Sequence, residues 1–540
     1  VAYVITQNCC KDASCVPVCP VDCIRPAGDD GGSSTEMLYI DPETCIDCGA
    51  CMDACPVDAI HYEDDLPESQ ERFRAINAQY FARHPLRTLQ YPAVVKHPRI
   101  EPGALRVAIV GAGPAACYAA EALIDIDGIE VSMIERLPTP FGLVRSGVAP
   151  DHQRTKSVVS VFERAMASKR LAAYFNVEVG KEIEHDHLLR HHHAVIYAVG
   201  MSCSRDLGIA GEDIRGSHAA SDFVAWYNGH PEHRDHRFDL GGPRAVIIGN
   251  GNVALDVARV LLTDADRLAT TDIADDALEA LRCSAVEEVV ILGRRGLRDA
   301  AFSVGEFLAL GNIDGVDILI DGADDLEPQP DDGVEAALKL EIAREYIEKP
   351  RTDGHKRIVF RFHTRPVEII GTDHVSGVEV AAPSGDDTDL LSTSLVLRSI
   401  GYRGTPIADL PFSSDAGTVP SQGGRVTDKE GNILPGVYVA GWIKRGPRGV
   451  IGTNRACAEE TVSAVLADFD AGLLERPIGD RADFDVAIAD RGIEHVDWSG
   501  WRAIDTAERT AGAEQSRPRV KLVDIASMLS VANPQTGSRV

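Results

Sequence analysis

The clearest apolar run in the chain, Val107 to Val110, has the length and composition of a strand buried on both faces. It leads into Gly111-x-Gly113-x-x-Ala116, then an Ala-rich helical segment, then a second strand, Ile129 to Ile134, ending in Glu135. The pattern recurs. Arg244-AVII precedes Gly249-x-Gly251-Asn252-Val253-Ala254, a helix is predicted over Leu255–Leu262, and a strand over Val286–Leu292 ends in Gly293-Arg294-Arg295. Between the two units, Phe175–Gly180 and Ala194–Val199 read as strands, with His191, His192 and His193 as a loop or strand edge and not a metal site. Beyond them, residues 313–335 read as a solvated acidic excursion. Ile358–Phe362, Val367–Ile370 and Val375–Val380 read as an antiparallel meander, and Ser394–Gly401 as a return towards the first unit. Pro435 to Cys457 reads as a strand, an aromatic and a Gly-rich turn entering a helix.

The glycines say what these units are for. In each fingerprint the first glycine permits the tight turn and the second lets the backbone approach a pyrophosphate. A small residue, Ala116 or Ala254, then lets helix and strand pack closely. Free N–H groups at the helix start face the phosphates. Glu135 can accept from a ribose hydroxyl, whereas Arg294 and Arg295 match a 2′-phosphate that a carboxylate would repel. The first site reads as FAD or NAD and the second as NADP.

At 540 residues several domains are expected. A net charge of −29 argues against a general nucleic-acid partner. No apolar run is long enough to span a bilayer and the first residues lack a secretory pattern, so membrane insertion is not expected and the cytoplasm is the expected location.

Nine of the thirteen cysteines lie between Cys9 and Cys55. Cys45-x2-Cys48-x2-Cys51-x3-Cys55-Pro56 is the bacterial ferredoxin run, in which the fourth cysteine serves the other cluster. The mirror run, Cys9-x2-Asp12-x2-Cys15-x3-Cys19-Pro20, has an acid in its second slot. Exchange of the fourth cysteines gives Cys45, Cys48, Cys51 and Cys19 a complete [4Fe–4S] set. Cys15, Cys55 and either Cys9 or Cys10 remain as three thiolates. Those suit a [3Fe–4S] cluster, or a labile [4Fe–4S] cluster completed by Asp12 or water. Cys23 reads as a packed neighbour, and Cys117, Cys203, Cys283 and Cys457 as buried core thiols. An acidic turn and a helix over Glu63–Arg83 close this module, and His84-Pro85 stops the helix.

Residues 2 to 85 resemble the seven-iron bacterial ferredoxins. GAGPAACYAAEAL, PFGLVRSGVAPDH, GNGNVALDVAR, GRRG…AF and GWIKRGPRGVIGTN together resemble the adrenodoxin-reductase-like ferredoxin–NADP+ reductases over residues 104–530. The whole resembles the actinobacterial fusion of the two. The fold class expected is an α+β ferredoxin module followed by an α/β, glutathione-reductase-like flavoprotein with two dinucleotide-binding domains. The divisions expected are a ferredoxin over 1–85, a linker over 86–103, FAD-binding parts over 104–200 and 404–540, and an NADP domain over 201–403. The resemblance implies FAD contacts at Gly111, Gly113, Ala116, Glu135, Leu143, Val179, Trp442, Gly449, Val450 and Ile451. It implies NADP(H) contacts at Gly249, Gly251, Asn252, Val253, Arg294, Arg295 and Glu306, with Gly449 near both cofactors. His152 and Glu306 are the implied catalytic pair. Relatives can carry a second Glu where this chain has Ala309, which leaves the orientation of His152 open. The tail, including DWSGWRAID, is implied to fold back on the FAD domain.

The resemblance implies an NADPH-dependent ferredoxin reductase. NADPH gives a hydride, FAD splits the pair, and iron–sulfur clusters of this chain, a separate ferredoxin or another one-electron acceptor take single electrons. The rival readings are an electron-input subunit like that of glutamate synthase, and a non-catalytic iron–sulfur redox sensor.

Overall fold

The computed structural model describes residues 2–26, 35–86, 97–322, 326–329, 332–385 and 387–534. The expected linker falls largely on residues 87–96, outside the described set.

The first fingerprint builds one large sheet. Its strands run in the order Ser421–Gln422, Arg425–Thr427, Ile433–Val439, Ala194–Tyr197, Arg106–Val110, Glu130–Glu135, Leu171–Phe175. The five from Ile433–Val439 onward are parallel, and Arg425–Thr427 joins as an antiparallel hairpin. Arg106–Val110 is wholly buried, as its unbroken apolar run requires. Helices Pro114–Ile124 and Thr453–Asp470 cover one face, packed on each other through alanines.

The second fingerprint builds a six-stranded, all-parallel sheet: Ser217–Ala219, Leu395–Arg398, Arg244–Ile248, Glu288–Leu292, Lys356–Arg361, Val316–Asp321. Here the sequence reading is corrected twice. The run 358–362 is an inner parallel strand, not part of a meander, and the real meander is Arg365–Gly371, Val375–Ala381 and Thr388–Ser392. The 313–335 stretch is not simply a solvated excursion. It contains the edge strand Val316–Asp321, and the helix Val334–Glu348 carries the crossover back to Lys356. Ser394–Gly401 supplies a strand of this second sheet before the chain crosses to the first. A short antiparallel pair, Cys203–Ser204 with Tyr402–Arg403, joins the outgoing and returning chains.

Three smaller expectations also change. The strand near residue 175 is Leu171–Phe175, and it stops where Asn176 takes φ +64°. His191 ends a helix, His185–His191. His192 is fully buried, its ring bonded to the Leu188 carbonyl and the Ser132 hydroxyl, which is a satisfied core histidine. Cys117 and Cys457 are buried, but Cys283 is exposed and Cys203 only half-buried.

The N-terminal module pairs Tyr3–Ile5 with Ile60–Tyr62 and Ile24–Arg25 with Tyr39–Ile40, closed by the helix Arg72–Arg83. Asn77 of that helix ties the two ribbons: Oδ1 accepts from the Ile5 and Ile40 amides, and Nδ2 donates to the Ile5 carbonyl. The module's apolar side chains are continuous with both larger cores. Cys10, Val57 and Ala59 join the core under the first sheet, whereas Ile5, Phe73 and Ile76 join that of the second.

The tail helix Trp498–Glu514 lies on the short helix Leu143–Ser146. Glu508 is fully enclosed there, accepting from Arg145 at 2.5 and 2.9 Å, Arg519 at 2.9 Å and the Leu522 amide at 2.9 Å. Arg145 also stacks over Trp501 at 5.4 Å. Among the described residues no helix is long and apolar enough to cross a membrane.

Candidate functional site

Both fingerprints close in the same way. Gly111 and Gly249 have φ of +106° and +111°, and a Cβ on them would stand 2.5 Å from the Ala198 carbonyl and 2.1 Å from the Ser399 carbonyl. No other residue fits there. By contrast, a Cβ on Gly113 or Gly251, each the N-cap of its helix, would meet nothing within 4 Å. Each helix start therefore faces open space bounded by backbone N–H groups, a cradle suited to a pyrophosphate.

Glu135 sits at the end of its strand with Oε2 accepting the Ala112 amide at 2.9 Å and Oε1 the Leu137 amide at 3.0 Å. Burial pushes its carboxyl up, against the pull of those amides. It braces the turn and still has lone pairs for a ribose hydroxyl. Leu143, 42% exposed, begins the helix after Gly142, whose Cβ would lie 3.1 Å from the Gly113 Cα. Val179 lies in the bend after Asn176, bridged to Ile183. Gly441, at the end of Ile433–Val439, abuts Ala115, so Trp442 enters beside the first fingerprint helix. The Trp442 indole N–H is enclosed and has no partner among the described residues, as expected of a group that awaits one. The turn from Gly446 follows, and Gly449, Val450 and Ile451 lead into helix Thr453–Asp470.

At the second site Ala254 is fully buried against the sheet, Val253 is half-buried and Asn252 opens the helix. Arg294 and Arg295 are both exposed, and Arg295 has only a loose 3.6 Å pairing with Asp299. Guanidinium groups so placed can take up a phosphate without breaking a buried network.

His152 and Glu306 approach each other, with Nε2 3.9 Å from a Glu306 carboxylate oxygen. The sequence reading missed their companions. Asp256 and Arg259, one turn apart on the second fingerprint helix, join them: Asp256, His152 and Glu306 bring ligand atoms within 4.8 Å of one another, and Arg259 binds Asp256 and Asp151. Burial pushes the Asp256 carboxyl up to about 6, against the nearby guanidinium. Burial and then Arg259 hold His152 below its usual range. A second acid beside the histidine, besides Glu306, is thus Asp256. The only sequence signal was a polar pair inside the otherwise apolar NVALDVARVLL.

In the N-terminal module, Cys51 has Cys45, Cys19 and Cys48 as electrostatic neighbours, and Cys15 has Cys9, Cys55 and then Cys51. Cys23 Sγ lies 3.5 Å from that of Cys19. Burial pushes the Cys9 thiol up to about 11 and Cys51 up to about 12, so ligation would release their protons. Cys9 Sγ accepts the Lys11 and Leu38 amides, whereas Cys10 is buried in the core under the first sheet. Asp12 does not stand free at a cluster corner. It is buried, with Oδ1 taken by the Ser14 amide and hydroxyl and Oδ2 by the Tyr118 hydroxyl at 2.8 Å. All-sulfur donor sets of this kind fit iron–sulfur centres.

A separate grouping of His230, Glu232 and His233 has ligand-like spacing, but Glu232 is already neutralised by Arg136.

Comparisons agree with this architecture. Residues 38–61 match the 4Fe-4S binding domain model, and residues 105–294 match pyridine nucleotide-disulphide oxidoreductase. A ferredoxin/ferredoxin–NADP reductase of Mycobacterium leprae is 46% identical over 544 residues, 98% of this chain and 98% of the relative. Its counterpart in Mycobacterium tuberculosis H37Rv is 47% identical over 546 residues, covering 98% and 95%. A solved structure, Mycobacterium tuberculosis FprA in complex with NADPH, overlays with TM-score 0.75 at 44% identity, covering 79% of this chain and 99% of that one.

Proposed function

From the premise that this chain belongs to the ferredoxin/ferredoxin–NADP reductase family, we propose the following assignment of its residues. The chain is an NADPH-dependent ferredoxin reductase carrying its own ferredoxin. Bound FAD would accept the hydride of NADPH and pass single electrons to iron–sulfur centres.

Gly111, Gly113, Ala116, Glu135, Leu143, Val179, Trp442, Val450 and Ile451 hold FAD. Gly249, Gly251, Asn252 and Val253 hold the NADP pyrophosphate end, Arg294 and Arg295 its 2′-phosphate, and Glu306 and Gly449 the nicotinamide end. His152, with Asp256 and Glu306, holds and moves a proton beside the flavin. Cys19, Cys45, Cys48 and Cys51 ligate a [4Fe–4S] centre. Cys9, Cys15 and Cys55 ligate a [3Fe–4S] centre. Cys9 is preferred to Cys10 because its sulfur receives two backbone N–H groups, the usual dress of a cluster thiolate. The need for seven reduced thiols as ligands supports a reducing compartment, the cytoplasm.

One observation carries the reading. The Gly452 amide donates to the Cys10 carbonyl at 2.9 Å, so the cysteine-rich module touches the turn that follows Gly449, Val450 and Ile451, here assigned to the two cofactors. Anaerobic addition of NADPH to the purified protein tests it. The flavin absorbance should bleach first, and electron paramagnetic resonance should then report reduced clusters. Bleaching with no change at the clusters would refute internal transfer.

A further inference from the structure

Three segments of the N-terminal module reach residues assigned above to the nucleotide or the turn beside them. Asn252 Oδ1 accepts the Ser303 amide at 2.7 Å, and its Nδ2 donates to the Glu36 carboxylate at 2.6 Å. The Gln7 side chain bonds to Glu306, and Gln7 Cγ lies 3.4 Å from where a Cβ on Gly305 would stand. The Lys11 carbonyl rests on Gly452 so closely that a Cβ there would be 1.9 Å away.

Charge makes this contact more than coverage. Glu36 faces Glu335 and Glu306, with Lys339 and Lys11 as the nearby cations. Burial, then Glu335 and Glu306, push the Glu36 carboxyl up, while Asn252 pulls it down. A dinucleotide would bring its phosphates to the start of the Asn252 helix, where a carboxylate already holds the side chain that opens it. Like charges at one helix start repel, and the helix dipole can serve only one anion well.

We propose that NADP(H) and the docked N-terminal module exclude one another at the start of the second fingerprint helix, with Glu36 as the competing anion. The proposal rests on reading that fingerprint as the NADP site. Nucleotide entry displaces the Glu36 side chain from Asn252 while the Leu38 amide stays on Cys9 Sγ, and by linkage the Glu36–Asn252 contact weakens nucleotide binding by the same factor. Loading of nucleotide and close contact of the module with Asn252 and Glu306 then alternate.

The test uses the full-length holoprotein. NADP+ is titrated against wild type, Glu36→Gln and Gln7→Ala, read by perturbation of the flavin spectrum, and backbone hydrogen exchange of wild type is compared with and without NADP+. Glu36→Gln should bind NADP+ about tenfold more tightly, the worth of one charge-assisted contact. Gln7→Ala should gain less, and NADP+ should speed exchange at the Glu36 and Met37 amides, beside the released contact, and not at the Leu38 amide held by Cys9. Equal or weaker binding by Glu36→Gln overturns the proposal, as does unchanged exchange in wild type, which needs no variant to fold. Wild type that is neither bound by NADP+ nor bleached by NADPH overturns the functional reading itself, whereas normal bleaching with unchanged Glu36→Gln affinity overturns only the exclusion.

Discussion

Glu508→Gln is the sharpest probe of how the tail serves the flavin site. The substitution keeps the shape and removes the charge from a carboxylate that accepts four hydrogen bonds, three of them from guanidinium groups. Breaking one partner of such a buried pair costs about 3–5 kcal/mol. Arg519 keeps Asp505 at 2.9 Å, so the lower end applies, about 3 kcal/mol. Arg145 would then press on the Leu143–Ser146 helix, whose leading residue is assigned to FAD. If that loss is expressed in flavin binding, the FAD dissociation constant should rise roughly a hundredfold. Flavin fluorescence on serial dilution of the holoprotein measures this directly. Acid gives an independent check. Burial alone would raise the Glu508 carboxyl, but Arg145 and Arg519 hold it below the ordinary 4.5. Its contribution is therefore full above that value and lost as pH falls through the depressed one. Wild type should lose flavin progressively in that acidic window, and Glu508→Gln should lack that component. A dissociation constant within threefold of wild type would refute the claim that the tail holds this helix.

The other predictions follow from the sites. Replacing Arg294 and Arg295 with Ala should weaken NADPH and spare NADH, by about 1.5–3 kcal/mol per lost phosphate bond; an unchanged NADPH/NADH ratio of kcat/KM would refute the 2′-phosphate assignment. Because Asp12 is committed to Tyr118 and Ser14, Asp12→Cys should retain the three-iron electron paramagnetic resonance signal after anaerobic reconstitution with iron and sulfide; gain of a fourth iron would place position 12 at the open corner. Asp256→Asn should remove the limb near pH 6 from stopped-flow flavin reduction by NADPH and lower the His152 pKa further, since the ionised carboxylate favours the charged ring. The raised Asp256 carboxyl also costs stability as pH climbs from 3.8 through about 6, and in urea titrations the variant should lose stability less steeply than wild type over that window.

What could be read from the sequence was whatever local covalent geometry imposes. Gly111 and Gly249 must be glycine because a carbonyl of the neighbouring strand stands where a Cβ would go, so the fingerprints announce themselves. The cysteine spacing is similarly local. The 358–362 strand was misassigned because a parallel inner strand and a buried antiparallel one have the same composition. The helix that distinguishes them, Val334–Glu348, was hidden behind an acidic stretch. Asp12 and Asp256 were beyond reach for another reason. Spacing put Asp12 in a ligand slot, but its hydroxyl partner, Tyr118, is 106 residues away. Asp256 acquires meaning only when His152 and Glu306 are packed beside it from other segments. The ferredoxin read as a separable module because its cysteines are self-contained, yet Cys10 and Val57 are completed by the core of the first sheet.

That shared core sets an order of manufacture. The cysteine-rich segment leaves the ribosome first, but Arg455, which binds the Asp12 carbonyl, lies 443 residues downstream. At about 5–20 residues per second, roughly 20–90 s separate the two events. During that interval the thiols stand open to whatever machinery delivers iron and sulfide, and the apolar side chains of Cys10, Val57 and Ala59 lack their cover. Arrival of the Gly452–Arg455 turn closes the module. A nascent chain stalled short of residue 452 should therefore take up iron and sulfide faster than the finished chain, and bind a chaperone that recognises exposed apolar side chains.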